Sequence, residues 1–284
     1  MCKISLQLTL ALLLTALSLS AQDYLATAEA QFGKGHYEAA EETLRRIDQD
    51  DWTAEVYLLH GNCLHKMDRL VEALNDYDRA KILGLNEETL YLNRGICKTS
   101  LGYLESARTD LAIALSFNRA NALAYYWLAV IEYLSLDNRA SIRYLDEAIY
   151  LNPSFAEAYY MRGANYAEMG KAYFALDDMR STLREMPEHH KALFQSGVLT
   201  MDLGGYQKAL EIFDNLMLLE TDLTSEVLYY RGWCYYLMND SASACNDWME
   251  AARLGDSYAE ESHLKGCVSE GGKPRLKRMS YGRF

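Results

Sequence analysis

The sequence predicts an all-α protein, a solenoid of about seven helix–turn–helix units closed by a C-terminal capping helix. Three observations predict it. A small residue recurs as Ala28, Gly61, Gly95, Ala129, Gly163, Gly197, Gly232 and Gly266, at spacings of 33 to 35 residues. Twelve residues after each of the first seven comes a second small residue: Ala40, Ala73, Ala107, Ser141, Ala175, Ala209 and Ala244. Finally, the chain of 284 residues is 50% hydrophobic and holds only 3 prolines and 17 glycines. That is enough apolar surface for a large core and too few turn residues for a sandwich of many short strands.

Residues 1–21 are a different kind of sequence. Lys3 gives a short positive start, and an uncharged run rich in Leu, Ala, Ser and Thr follows from Ile4 to Leu19. Ser18 and Ser20 put small residues where a signal peptidase cuts, with cleavage after Ala21 as the close alternative. The run is short for a bilayer span of about 20 residues. Cys2 lies too early for a lipoprotein anchor. The expectation is an exported protein, periplasmic or secreted, with no membrane span after cleavage. The segment Ser18–Asp23 resembles the signal endings of exported bacterial proteins.

The repeating units run over about 22–53, 54–87, 88–121, 122–155, 156–189, 190–224 and 225–258. In each, the two small residues sit on two helices that cross closely, where a larger side chain would hold them apart. Seven residues after the first small residue falls a turn, at Gly35, Asp68, Gly102, Leu136, Gly170, Gly204 and Asn239. Gly and Asn tolerate the left-handed conformation that ends a helix. One helix pair cannot bury its apolar face alone, so neighbours must stack. A final helix, roughly Ser257 to Cys267, repeats the first-helix pattern only, with Gly266 in register, and after the last unit residues 259–270 read as the cap. Residues 271–284 read as a basic flexible tail with five bases and no acid.

The formal charge is −12. Without Lys3 there are 27 bases against 40 acids, a charge of −13, and setting the +5 tail aside leaves −18 on the body. A body this acidic excludes a phosphate-binding face, so no nucleic-acid partner is expected. The tail can fold back on the body, touch anionic lipid in a peripheral envelope association, or dock a partner.

The best units read Ala156-Glu-Ala-Tyr-Tyr-Met-Arg-Gly163 through Pro187 and Ala122-Leu-Ala-Tyr-Tyr-Trp-Leu-Ala129 through Pro153. They resemble the tetratricopeptide repeat, a helix–turn–helix unit of 34 residues, and the match covers nearly the whole mature chain. The resemblance implies a right-handed α-solenoid. It also implies a protein–protein interaction scaffold, not an enzyme, with no cofactor and a protein or peptide partner.

By the same resemblance, the first helix of each unit lines an inner groove. Its slots hold Tyr126, Val130, Tyr133, Tyr160, Phe194, Met201, Tyr229, Trp233 and Tyr236, aromatic toward the C-terminus. Two readings stand. The fifth-slot tyrosines pack between helices as repeat consensus, or the aromatic row takes an extended or helical partner segment with apolar anchors. An assembly role in an envelope complex is the alternative function.

Charge pairing is visible inside the chain. Arg94, Arg162 and Arg231 precede the opening glycine in three units, and Asp110, Asp178 and Asp247 follow sixteen residues later in the same units. The unit with His60 has Asp76, whereas units with Thr27, Leu128 and Ser196 have no acid there. Structural ion pairs between the two helices of one unit explain this better than a row of ligand-binding charges. Five cysteines remain in the mature chain. Cys63, Cys97 and Cys234 share one packing slot. Cys245 starts a second helix and Cys267 ends the helix after it, so a disulfide and two free thiols are both compatible with the sequence. The histidines show no i, i+4 pair and the cysteines no C-x-x-C, so no metal site is expected.

Overall fold

The computed structural model describes residues 21–219, 221–269 and 272–276. Among them there is helix and no strand. The chain divides into two compact units, one up to Ile131 and one from Glu132, with the division inside a helix.

In the first unit, α1 covers 21–33. It is followed by α2 (Tyr37–Leu44), α3 (Ala54–Lys66), α4 (Leu70–Ile82), α5 (Glu88–Ser100) and α6 (Leu104–Phe117), and α7 (Ala122–Leu134) crosses the division. The second unit continues with α8 (Asn138–Leu151), α9 (Ala156–Glu168), α10 (Ala172–Glu185), α11 (His190–Asp202) and α12 (Tyr206–Met217). It ends in α13 (Thr224–Leu237), α14 (Ser241–Arg253), α15 (Ser257–His263) and a π-helical turn, Leu264–Val268. Within each unit, successive helices pack against one another in chain order, as α3 on α4, α4 on α5, and α9 on α10.

The small residues mark where paired helices touch. A Cβ on Gly163 would stand 2.6 Å from Met179 Cε and 3.2 Å from the Ala175 carbonyl. Ala175 is itself fully buried. The turns that reverse each pair are left-handed at every position named above, including Asp68, Leu136 and Asn239 with φ of 60°, 63° and 65°. Leu136 holds this conformation without glycine's freedom and lies open to solvent.

The core of the second unit is aromatic at its C-terminal end. Trp248, Tyr229, Tyr230, Trp233 and Phe213 belong to one buried cluster. The capping helix starts at Ser257, because Asp256 accepts hydrogen bonds from the Tyr258 and Ala259 amides at 2.8 and 2.9 Å. The tail differs from a wholly flexible one, since Pro274 is buried and Leu276 packs against the Trp248 cluster. Residues 1–20 of the 1–21 signal segment and tail residues 271 and 277–284 lie outside the described residues.

Candidate functional site

The charged pairs join helices within and between repeats. Arg94 Nε and Nη2 donate to the two carboxylate oxygens of Asp110 at 2.8 and 2.5 Å. Arg162 grips Asp178 the same way at 2.9 and 2.7 Å, and Arg231 grips Asp247 at 2.8 and 2.7 Å. Each fork joins the two helices of one repeat.

The remaining nitrogen does something the sequence reading missed. Arg94 Nη1 reaches Asp78 at 2.9 Å, Arg162 Nη1 reaches Asp146 at 2.7 Å, and Arg231 Nη1 reaches Asp214 at 2.8 Å. These acids lie on the second helix of the preceding repeat. The signal was present, as an acid sixteen or seventeen residues before each arginine. The hydrogen bonds from Arg231 to Asp247 hold that guanidinium above its ordinary range, against the opposing effect of burial. Arg94 and Arg162 also lie over the rings of Tyr91 and Tyr159, each 5.5 Å from the centroid. His60 follows the same plan with an imidazole: Nδ1 lies 2.5 Å from Asp76 and Nε2 lies 3.7 Å from Glu41 of the first repeat.

At Ser196 the plan is absent. Its hydroxyl is buried with no hydrogen-bond partner. The equivalent of the preceding acid is Arg180, which pairs instead with Asp177 at 2.8 Å. A cleft of about 250 Å³ opens beside this junction, lined by Tyr173, Asp177, Arg180, Leu203 and Lys208 among others.

The nine groove residues separate into two groups. Tyr160, Met201, Tyr229 and Trp233 are buried, with Tyr229 at 0% and Trp233 at 4% exposure, which corrects the expectation that they line an open groove. Adjacent helices of the same or the next repeat cover Tyr160, Tyr229 and Trp233. The Tyr160 hydroxyl accepts from Gln195 Nε2 at 3.0 Å, across the junction to the next repeat. Tyr229 packs beside Tyr258 of α15, and Trp233 packs against Trp248 with ring centroids 5.2 Å apart. Tyr126, Val130, Tyr133, Phe194 and Tyr236 are half-buried. Of these, Phe194 leans on Phe213 and Tyr230, and Tyr236 on Trp233 and Trp248.

Cys245 and Cys267 form a disulfide with Cα atoms 5.9 Å apart. Cys63, Cys97 and Cys234 are buried thiols. Burial pushes them up to about 12, 11 and 12. Composition gave no hint of the role of His189. It caps α11, with Nδ1 accepting from the Ala192 amide at 3.0 Å. Among the described residues, no group of three His, Cys, Asp or Glu could hold a metal ion, and no helix is long and apolar enough to cross a membrane.

No family model matches the chain. Among curated proteins, the BBSome complex member BBS4 of Bos taurus is 27% identical over 138 residues, 49% of this chain and 26% of that protein. The chain therefore spans about a quarter of the length of the curated relative it matches. Among solved structures, the C-terminal part of a TPR repeat-containing protein from Cytophaga hutchinsonii superposes with a TM-score of 0.64 at 14% identity, over 86% of this chain and 99% of that one. PilF of Pseudomonas aeruginosa gives 0.63 at 15% identity, over 71% and 91%. A tetratricopeptide repeat protein from Parabacteroides merdae gives 0.59 at 19% identity, over 88% and 100%. With these likenesses of fold, the 34-residue period and the helix pairs that follow it, the chain is a tetratricopeptide repeat protein in fold.

Proposed function

We propose that the protein is an exported, non-enzymatic interaction scaffold that holds a polypeptide segment against its inner helices. The observation that supports this reading most is how the polar side chains are used. The buried arginines and aspartates are spent on joining helices within and between repeats, and the half-buried aromatics remain as the recognition surface. In the second unit that surface is Tyr133, Phe194 and Tyr236, each half-buried. Aromatic rings held by their neighbours lose little freedom on binding, which suits them to anchor an apolar partner side chain.

Photocrosslinking in the native organism tests this. A photoreactive phenylalanine analogue replaces Tyr236 in one strain and Tyr150, which is 80% exposed on α8, in another. A discrete polypeptide adduct at 236, absent at 150 and reduced by Tyr133→Ala, is the expected result. Adducts of equal yield at both positions would remove the inner surface as the site. A stoichiometric complex that survives purification from the envelope would instead favour the assembly role.

A further inference from the structure

The C-terminal end of the second unit is closed by the chain itself. α15 and the π-helical turn occupy the place of a next first helix, and no second helix follows among the described residues. Pro274 stands in for one. A Cβ on Gly266 would lie 3.3 Å from Pro274 Cγ and 3.0 Å from Trp248 Cζ3. Beneath this closure lie Trp248 and Tyr229 of the aromatic cluster, with Ala259 of α15 packed against it.

The closing segment is slight for its task. α15 has seven residues, and Leu264 and Val268 are 49% and 62% exposed. Its hold on the body includes one covalent bond, from Cys245 on α14 to Cys267 in the π-helical turn. Both cysteines are only partly buried, so an external thiol can reach them. The other three cysteines are fully buried and resist ionisation, so they do not compete in exchange.

We infer that the Cys245–Cys267 disulfide is a redox latch, and that a dithiol reductant opens it and frees the capping segment from the aromatic end around Trp248. A thiolate of the reductant attacks one sulfur, forming a mixed disulfide and breaking the Cys245–Cys267 bond. The departing cysteine thiolate takes a proton. The second thiol of the reductant then displaces the other cysteine, leaving two protein thiols and an oxidised reductant, a transfer of two electrons. Loss of the link restores the freedom of the 22-residue separation it had closed.

Hydrogen exchange by mass spectrometry on the full-length protein tests the latch, comparing the oxidised form, the same sample in dithiothreitol, and Cys245→Ser/Cys267→Ser. The expected result is exchange faster by on the order of a hundredfold in 257–269 and 272–276, with α9 to α12 unchanged. Reoxidation of the wild type should restore protection. Equal protection of the segment in all three samples would overturn the inference. So would loss of protection throughout the unit on reduction, which would make the bond a support of the whole fold. Free thiols at both Cys245 and Cys267, mapped by alkylation of denatured, unreduced protein from an oxidising compartment, would overturn it as well. If the serine variant does not fold, titration of the folded wild type with dithiothreitol decides alone.

Discussion

Arg162 closes a two-pronged grip on Asp178 while its third nitrogen holds Asp146 of the repeat before, so one side chain fastens three helices. Arg162→Ala should lower stability by about 3–5 kcal/mol, because Asp178 would be left buried without its partner. Asp178→Ala added to that variant should cost little more, since the pair is already broken. Asp146→Asn, on the exposed arm, should cost about 0–1 kcal/mol. Urea denaturation of the single and double variants measures all three. Fully additive losses would show that the two residues act separately.

Gly163→Leu should prevent the close approach of α9 and α10. The Met179 side chain can swing away, but the Ala175 carbonyl at 3.2 Å cannot. A loss of about 1–3 kcal/mol or failure to fold is expected. Gly163→Ala should be milder, since the crowding is partly offset by a gain of up to ~1 kcal/mol in helix propensity. Thermal melts of the two variants rank them.

Trp233→Ala should act on the fold more than on a partner. The ring is 4% exposed and wedged between Trp248 and Tyr236. Its removal should cost about 3–5 kcal/mol. Tyr236→Ala should instead weaken capture of the partner segment by more than ~1 kcal/mol with the fold intact. Parallel denaturation and crosslinking yields separate the two effects.

His189 should make stability depend on pH. Its cap needs an unprotonated Nδ1, and burial lowers the ring below its ordinary range. The unfolded chain therefore takes up the proton first as pH drops below about 6.5. Stability should fall from there and stop falling once the folded ring is also protonated, with a total loss of about 0.5–2 kcal/mol. His189→Asn keeps a capping oxygen at every pH. If its denaturation midpoint falls between pH 7 and 5 as steeply as the wild type's, the slope comes from other groups.

Deleting Lys273–Phe284 should lower the melting temperature by a few degrees, because Pro274 and Leu276 belong to the packed end of the unit. An unchanged melt would mean that their burial contributes nothing.

The period was legible because it answers a local demand. Two helices that cross at Gly163 and Ala175 allow no larger side chain, and that demand repeats in every unit. The forks on Asp110, Asp178 and Asp247 were legible for a related reason, since both partners lie in one unit at a fixed spacing. The groove was not. Tyr236 and Trp233 sit three residues apart on one helix, and what separates them is how α14 covers each ring, which the local pattern does not state. Pro274 escaped notice because a basic, glycine-containing stretch resembles solvated chain until a partner surface such as Trp248 is in view.

The arginine arms reach backward across some junctions and not others. In the second unit they tie the fourth repeat to the fifth and the sixth to the seventh, whereas at Ser196 no arginine arm joins the fifth to the sixth, which share the neutral Tyr160–Gln195 hydrogen bond instead. A stack whose stability is the sum of its repeats and their interfaces should then part at its weakest interface. The units of cooperative unfolding in this region should therefore be pairs of repeats, with the first parting between α10 and α11. Pulled from its ends, or invaded by a partner helix, the protein should yield there in steps of two repeats.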